Sequence, residues 1–465
     1  MRSLVWFRGK DLRVADHGPL LEAARTGEVL PLFVLDPYFF APERASQLPH
    51  RMQLLLEGLA DLDRALRERG SRLLLAAGRS VEVVPDRVRR WNVDRVLAHR
   101  WSEPFAQERD RRVAEALGPV PFELFEGETL VPPGSLRTGQ GGSFRVFTPF
   151  ARAFGRQADP GRPLSAPTWL PPVPEQEGAG TLLPSLADLG LSPNPNLLSG
   201  GEGPARERLE SFREDGLEAY DRDRDRMDLP GTSRLSQDLH FGFLSVRQVW
   251  NATGGQEAGP RTFRNELLWR EFAHHLLAEE PRLLSEPFRP AFGAFPWRKD
   301  DAAWEAWCEG RTGYPVVDAA ARQLLSEGFV HNRARMVAAS FLAKHLLLDY
   351  RRGEAHYLRW LADGDWACNN LGWQWSAGCG VDAQPWFRVF NPVTQGRKFD
   401  PAGDYVRRWV PELESLPDRW IHTPWEAPSA VLAQAGVHLG RTYPVPIVDH
   451  SQARARFLDT AKAKL

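Results

Sequence analysis

The chain has little sulfur to work with: three cysteines, Cys308, Cys368 and Cys379, and four methionines in 465 residues. Three irregularly spaced cysteines exclude a disulfide framework and a cysteine-rich metal site, so buried free thiols are expected. No apolar run approaches the roughly 18 residues that a membrane helix needs. The N-terminus, MRSLVWFRG, enters a strand pattern at once and lacks the layout of a signal peptide. An excess of one charge is also missing, since 59 Lys and Arg face 60 Asp and Glu for a formal net charge of −1. A polyanionic partner would therefore have to meet a local basic face. Together these absences describe a soluble, cytoplasmic protein with no membrane association and no metal.

What the chain has in excess is tryptophan. Of 17 tryptophans, 13 lie from Trp250 onward; most belong in a core, yet rings at this density also stack on ligands or carry electrons. The length exceeds what one hydrophobic core supports, so two domains are expected, with room to enclose a large cofactor. Over residues 1–150 the apolar runs LVWF (4–7), VLPLFVL (29–35), RLLLAAG (72–78) and RVLAHR (95–100) alternate with helical spacing in HRMQLLLEGLADLDRALRERG and, more weakly, VEVVPDRVRRWNV. That alternation predicts an α/β domain built on a doubly wound parallel sheet. Residues 151–204 turn rich in proline and glycine, as in DPGRPLSAPTWLPPVPEQEGAG, and read as a long linker. From 205 to 465 the patterns are helical and predict a larger all-α domain, with no internal repeat.

The chemistry-bearing residues gather in the helical part. GTSRLSQDLHFG places Thr232, Ser233 and Ser236 around a turn that leads into a helix. Such hydroxyls either hold a phosphate with the free backbone N–H groups or simply cap the helix. In RTFRNELLWREFAHHLL (261–277), Glu266 and Arg270 have the spacing of an exposed ion pair, while Glu266 and Trp269 share a face that could meet a base together. His274 and His275 lack metal-ligand spacing and read as packing or surface residues. Between Gly328 and Gln395 runs the densest polar and aromatic stretch, with HNRARM (331–336) and DGDWACNNLGWQW, a composition suited to a large π-system. Asn332 and Met336 lie one helical turn apart, with Arg333 and Arg335 on other sides.

GTSRLS, NELLWREF, TGYPVVDAAARQL, HNRARM, DGDWACNNLGWQW and FRVFNPVTQG, with LVWFRGKDLRVADHGPL at the start, resemble the photolyase/cryptochrome family in order and spacing over essentially the whole chain. The resemblance is closest to class I cyclobutane pyrimidine dimer DNA photolyases. It implies FAD folded inside the helical domain, held by Tyr220, Thr232, Ser233, Arg234, Leu235 and Ser236, with Asp363, Gly364 and Asp365 at its ring and sugar region. Asn369 matches the residue facing flavin N5, and Arg335 with Asp363 an ion pair beside the ring system. UV-damaged DNA is the implied partner of a monomer, its flipped dimer lying between Trp269 and Trp375. Glu266 and Asn332 would hydrogen-bond the pyrimidine edges, Met336 would lie against the dimer, and Arg333 and Gln395 would meet the DNA surface.

The implied activity is light-driven electron transfer to the dimer, with the alternative of a cryptochrome-type blue-light sensor that does not repair. Photolyases of (6-4) photoproducts resemble one another in a histidine pair where this chain has Asn332 and Met336, which favours cyclobutane dimer repair. A flavin oxidoreductase using nicotinamide would need a GxGxxG fingerprint that is absent. Two departures from the family stand out. Trp373 and Trp297 match the inner and outer rings of its electron relay, but the middle position is Tyr350, with Trp360 and Trp366 nearby as a detour. The antenna, of folate or deazaflavin type, is unassigned: Glu108 matches a folate contact but Gln107 replaces an asparagine, and Asp36 and Arg51 resemble part of a deazaflavin site in which Trp101 replaces an acid.

Overall fold

The structure, a computed structural model, describes residues 1–174 and 181–464. Positions 175–180 of the linker and the terminal Leu465 lie outside the described residues. The chain packs as two compact units, the first comprising 1–218, 233–281 and 362–367, the second 219–232, 282–361 and 368–465.

The first unit is built on five parallel strands, β1 (Arg2–Phe7), β2 (Glu28–Leu35), β3 (Leu74–Ala77), β4 (Arg95–His99) and β5 (Phe122–Phe125), in the order β3-β2-β1-β4-β5. The four apolar runs of the sequence are β1 to β4. The fifth strand, FELF, is partly exposed along its length, and its short mixed pattern gives no strand signal. Each crossover carries a helix, among them Pro49–Arg67 and Ser80–Arg90 where helical spacing predicts them. Near-continuous burial of β1, β2 and β4 follows from helices on both faces, which leave no solvent side. Strand order reverses between β1 and β4. Loops leaving the carboxyl ends of these two strands therefore diverge and open a crevice at the switch point.

The long helix Ala258–Glu279 belongs to this unit, as does the short segment 362–367. The helix Phe147–Gln157 spans the start of the proline-rich stretch. Within that stretch Leu170 is fully buried and its N–H donates to the Arg69 carbonyl at 2.7 Å, so the connector is packed down on the α/β layer.

The second unit is helical around one apolar core that includes Trp307, Phe341, Tyr350, Tyr357, Trp373 and Phe457. Its elements include Pro315–Glu327, Asn332–Ser340, Tyr350–Trp360, Pro392–Phe399 and His450–Lys464. His331 caps Asn332–Ser340 by accepting the Arg333 N–H at 3.2 Å, and Asn391 caps Pro392–Phe399. The helix Trp366–Ala377 carries the chain from the first unit's segment into the second. No helix among the described residues is long and apolar enough to cross a membrane.

Candidate functional site

The candidate residues divide between the two units. In the first, the switch point brings Lys10, from the loop after β1, to Glu103, from the loop after β4. Lys10 Nζ hydrogen-bonds Glu103, lies 2.6 Å from Glu128 and reaches Asp365 at 3.5 Å. His274 Nε2 is 3.6 Å from the Asp365 carboxylate and its Nδ1 is 2.8 Å from Ser102 Oγ. Arg51 Nη1 donates to the Gly364 carbonyl at 3.2 Å. The 363–365 segment is thus pinned by a lysine, an arginine and a histidine.

The charge balance of this cluster follows from burial against pairing. Burial works against the Lys10 ammonium, but three carboxylates outweigh it and hold the group above its ordinary value. Burial pushes Glu103 up to about 7. Glu128 is equally removed from water, yet Lys10 outweighs that and brings it down to about 2. Burial also holds His274 down at about 4, so the ring is neutral near pH 7. Sequence reading placed His274 as packing or surface and gave Lys10 no role; both belong to this polar knot.

Trp269 and Glu266 lie on one side of Ala258–Glu279, both partly exposed. Phe147 stacks flat on Trp269 with centroids 3.8 Å apart and planes 7° off parallel. That support was invisible in sequence because 122 residues separate the rings. Arg270 donates to the Glu128 backbone carbonyl at 2.7 Å. At the 231–236 turn, a Cβ on Gly231 would sit 2.4 Å from the Asp223 carbonyl oxygen, so only glycine fits. Arg234 takes a left-handed φ of 56°, Leu235 is buried, Ser233 Oγ accepts the Leu235 N–H at 3.3 Å, and Ser236 opens the helix Ser236–Phe241 with its side chain exposed. Thr232 closes the second unit's part of this turn, where Tyr220 lies buried with Arg224 5.7 Å above its ring.

In the second unit, Asn332 Nδ2 meets Met336 Sδ at 3.7 Å on the partly exposed side of their helix. Arg333 pairs with Asp225 at 2.8 Å and lies 4.3 Å over the Phe399 ring, so its charge is already matched. Arg335 Nε donates to the Val330 carbonyl at 2.7 Å. Trp375 is half-buried, and Gln395 carries a buried Oε1 with no partner among the described residues. Asn369 Nδ2 donates to the Glu354 carbonyl at 3.1 Å, and its Oδ1 accepts no hydrogen bond among the described residues.

A glycine shapes the packing of Trp373, one of the rings expected in an electron relay. Tyr350, Gly353 and Tyr357 share one face of Tyr350–Trp360, and a Cβ on Gly353 would lie 2.2 Å from Trp373 Cη2. The indole of Trp373 is therefore seated on the bare backbone of this helix beside Tyr357. Its centroid is 5.1 Å from Tyr357 and 6.0 Å from Trp307. Trp297 lies 6.3 Å from Tyr350. Among the described residues the ring contacts of Trp373 are with Tyr357 and Trp307. Of the three thiols only Cys379 is buried; Cys308 is partly covered and Cys368 exposed, which corrects the expectation of buried thiols throughout.

Cavities open among the described residues of the α/β unit. One of about 290 Å³ is walled by Trp6, Phe33, Tyr38, Phe39 and Phe105 with Asp36, Arg79, Glu108 and Arg112 among its polar groups. Another, about 660 Å³, is lined by Trp101, Gln107, Glu128 and Arg137 among others. Arg51 lines neither, being committed to Gly364.

In the first unit, Ser236 presents an exposed hydroxyl and His240 on the same short helix has a buried Nδ1 without a partner among the described residues, polar groups that fit FAD; in the second, the amide of Asn369 fits the polar edge of a flavin ring.

Residues 263–463 match the FAD-binding domain of DNA photolyase, and residues 3–172 match the DNA photolyase domain. A deoxyribodipyrimidine photo-lyase of Agrobacterium fabrum is 41% identical over 98% of this chain and 96% of its own length. A bacterial class III photolyase from Agrobacterium tumefaciens superposes with a TM-score of 0.91 at 40% identity, covering 99% of this chain and 97% of that one. A cryptochrome from Synechocystis follows at a TM-score of 0.90 and 30% identity, covering 98% and 99%.

Proposed function

This chain belongs to the DNA photolyase family, and from that membership we propose that it repairs cyclobutane pyrimidine dimers in DNA by light-driven electron transfer. One observation carries the choice of lesion: the position where proton donation would be needed holds a carboxamide and a thioether, Asn332 and Met336, in contact with each other. Neither can act as an acid.

When bound, FAD in its reduced state supplies the electron on excitation and takes it back after the ring splits, with no net redox change. The protein's residues do the rest. Tyr220, Thr232, Ser233, Arg234, Leu235 and Ser236 hold the cofactor's phosphates and neighbouring atoms, and Arg335, Asp363, Gly364, Asp365 and Asn369 its ring and sugar region. Trp269, backed by Phe147, offers a flat face against one side of a flipped dimer, and Trp375 a second ring. Glu266 and Asn332 hydrogen-bond the pyrimidine edges and fix the dimer for electron entry. Gln395 and Arg333 meet the strand, Arg333 by exchanging Asp225 for phosphate.

The functional division follows residues 1–150 as the antenna domain, 151–204 as the connector and 205–465 as the cofactor and lesion domain. The aromatic walls of the 290 Å³ cavity suit a planar antenna more than the polar 660 Å³ one does. The protein acts as a cytoplasmic monomer. A cryptochrome-type sensor would have no use for the full set Glu266, Trp269, Asn332, Met336 and Trp375, which favours repair.

The deciding experiment incubates chemically reduced protein with an oligonucleotide carrying one cyclobutane dimer, lit and dark, and follows the return of thymine absorbance. Recovery in light alone is expected. Recovery in neither sample would leave the sensor reading in its place.

A further inference from the structure

A buried indole that gives up an electron is refilled most readily by a ring that touches it, and the series can end only where a ring meets water. Trp373 is buried, and among the described residues its ring contacts are Tyr357 and Trp307, the latter edge-on with the planes at 70°. Tyr350 contacts Trp297, and no ring contact among the described residues joins it to Trp373. Trp307 has a further neighbour. The helix Asp301–Cys308 sets Trp304 and Trp307 three residues apart on one face, and their rings stack with centroids 5.6 Å apart and planes 24° off parallel. Trp304 is partly exposed. Three indoles in contact thus lead from the buried Trp373 to the surface of the helical unit.

Oxidation makes an aromatic N–H or O–H strongly acidic, so the place where a proton can leave decides where the electron vacancy comes to rest. Trp307 Nε1 donates to the buried Ala338 carbonyl at 3.1 Å, and an amide carbonyl is too weak a base to keep the proton. The Tyr357 hydroxyl is buried without a partner among the described residues, so it has no acceptor for its proton. His356 lies 5.6 Å from Trp307 and 5.7 Å from Trp304; burial holds it down at about 4, so no imidazolium stands beside the rings near pH 7. Of the three indoles only Trp304 meets water. The Arg352 guanidinium lies 4.5 Å over the Trp304 ring and pairs with Asp301 at 3.1 Å. A cation over an indole favours the neutral ring over its radical cation, so Arg352 makes Trp304 harder to oxidise and its oxidised form quicker to lose the N–H proton.

We propose that Trp373, Trp307 and Trp304 form the electron relay of this chain, with Trp304 as its terminal donor and Arg352 setting how readily that ring is oxidised. The proposal rests on the flavin photolyase reading and adds the route by which the cofactor is recharged. Trp373 gives one electron to the photoexcited bound flavin and becomes an indole radical cation. Trp307 returns one electron to Trp373, and Trp304 returns one to Trp307. The Trp304 radical cation releases its N–H proton to water, which leaves a neutral indolyl radical and holds the electron on the cofactor side. A small-molecule thiol in solution then gives one electron and one proton to Trp304 and is itself oxidised to a thiyl radical. Tyr357 packs against Trp373 and Trp307 without being oxidised.

The test uses FAD-loaded protein with a thiol reductant, following flash-induced radicals by transient absorption and electron paramagnetic resonance. A long-lived neutral tryptophanyl radical is expected. Trp304→Phe, a change at a partly exposed ring, should lower its yield and the lasting photoreduction severalfold, while Tyr350→Phe should leave both in place. Arg352→Gln should speed the appearance of the radical severalfold. Photoreduction unaffected by Trp304→Phe, its loss in Tyr350→Phe, or a tyrosyl radical in the unaltered protein would overturn the relay, and a slower radical in Arg352→Gln would overturn the role of Arg352. Repair by chemically reduced enzyme, assayed beside it, should be unchanged in Trp304→Phe. Absence of repair in the unaltered protein would overturn the photolyase reading instead, with the radical measurements still deciding the relay.

Discussion

Two lysines lie out of water in this protein, one in each unit, and they behave in opposite ways. Lys10 sits among Glu103, Glu128 and Asp365 and is held above its ordinary value. Lys344 has a single carbonyl and an aromatic ring for company and is brought down to about 7. Burial is common to both; the difference is the acid partners. The first lysine is a structural cation that ties the β1 and β4 loops to segment 362–367, and the second is a base.

The largest effect is expected on the first. Lys10→Met would leave three buried acids without their cation, and breaking a buried pair in this way costs about 3–5 kcal/mol. Denaturant unfolding of the full-length protein measures it, and a change below about 1 kcal/mol would dissolve the contrast. Next comes Gly353→Ala, which forces a methyl to within 2.2 Å of Trp373 Cη2. It should cost about 1–3 kcal/mol by overpacking and displace the indole, seen as altered tryptophan fluorescence and slower photoreduction.

Lys344→Met acts in the opposite direction and should stabilise the fold at neutral pH, because it removes a cation buried without a counter-ion while nearly conserving volume. Its signature is in pH. The folded value near 7 lies below the ordinary 10.5, so the unfolded chain binds more protons between them. Lys344 therefore burdens the fold fully below about pH 7, and stability recovers as pH rises towards 10.5. The methionine variant should lack that rise; the same slope in both proteins would count against an uncharged amine.

The smallest effect concerns a cation paired near the surface. Asp225→Asn releases Arg333 from its partner, worth about 0.2–1 kcal/mol, and should tighten DNA binding roughly 1.4- to 5-fold. Filter binding at low and high salt reads it, with the gain shrinking as salt is added. Unchanged affinity would remove Arg333 from the DNA surface.

Much of the molecule was legible in its sequence because local rules carried it. The apolar runs gave four strands of the doubly wound sheet, and the motifs marked the family to which the chain belongs. What escaped were features set by distant pairs. Phe147 behind Trp269, Lys10 beneath Asp365 and Gly353 under Trp373 depend on tertiary approach, and nothing in a lysine's neighbours along the chain says whether three acids will surround it. The β5 strand escaped for a different reason, since four half-exposed residues carry too little periodicity to register. Gly353 alone had a local hint, a glycine inside an otherwise good helix, where backbone freedom is a cost unless something packs close.

The most direct test of the account is a side-by-side repair assay of the reduced protein on two oligonucleotides, identical except that one carries a cyclobutane dimer and the other a (6-4) photoproduct. Light-dependent restoration of the first and none of the second is the predicted result. Restoration of the (6-4) substrate would contradict it, since Asn332 and Met336 have no proton to give.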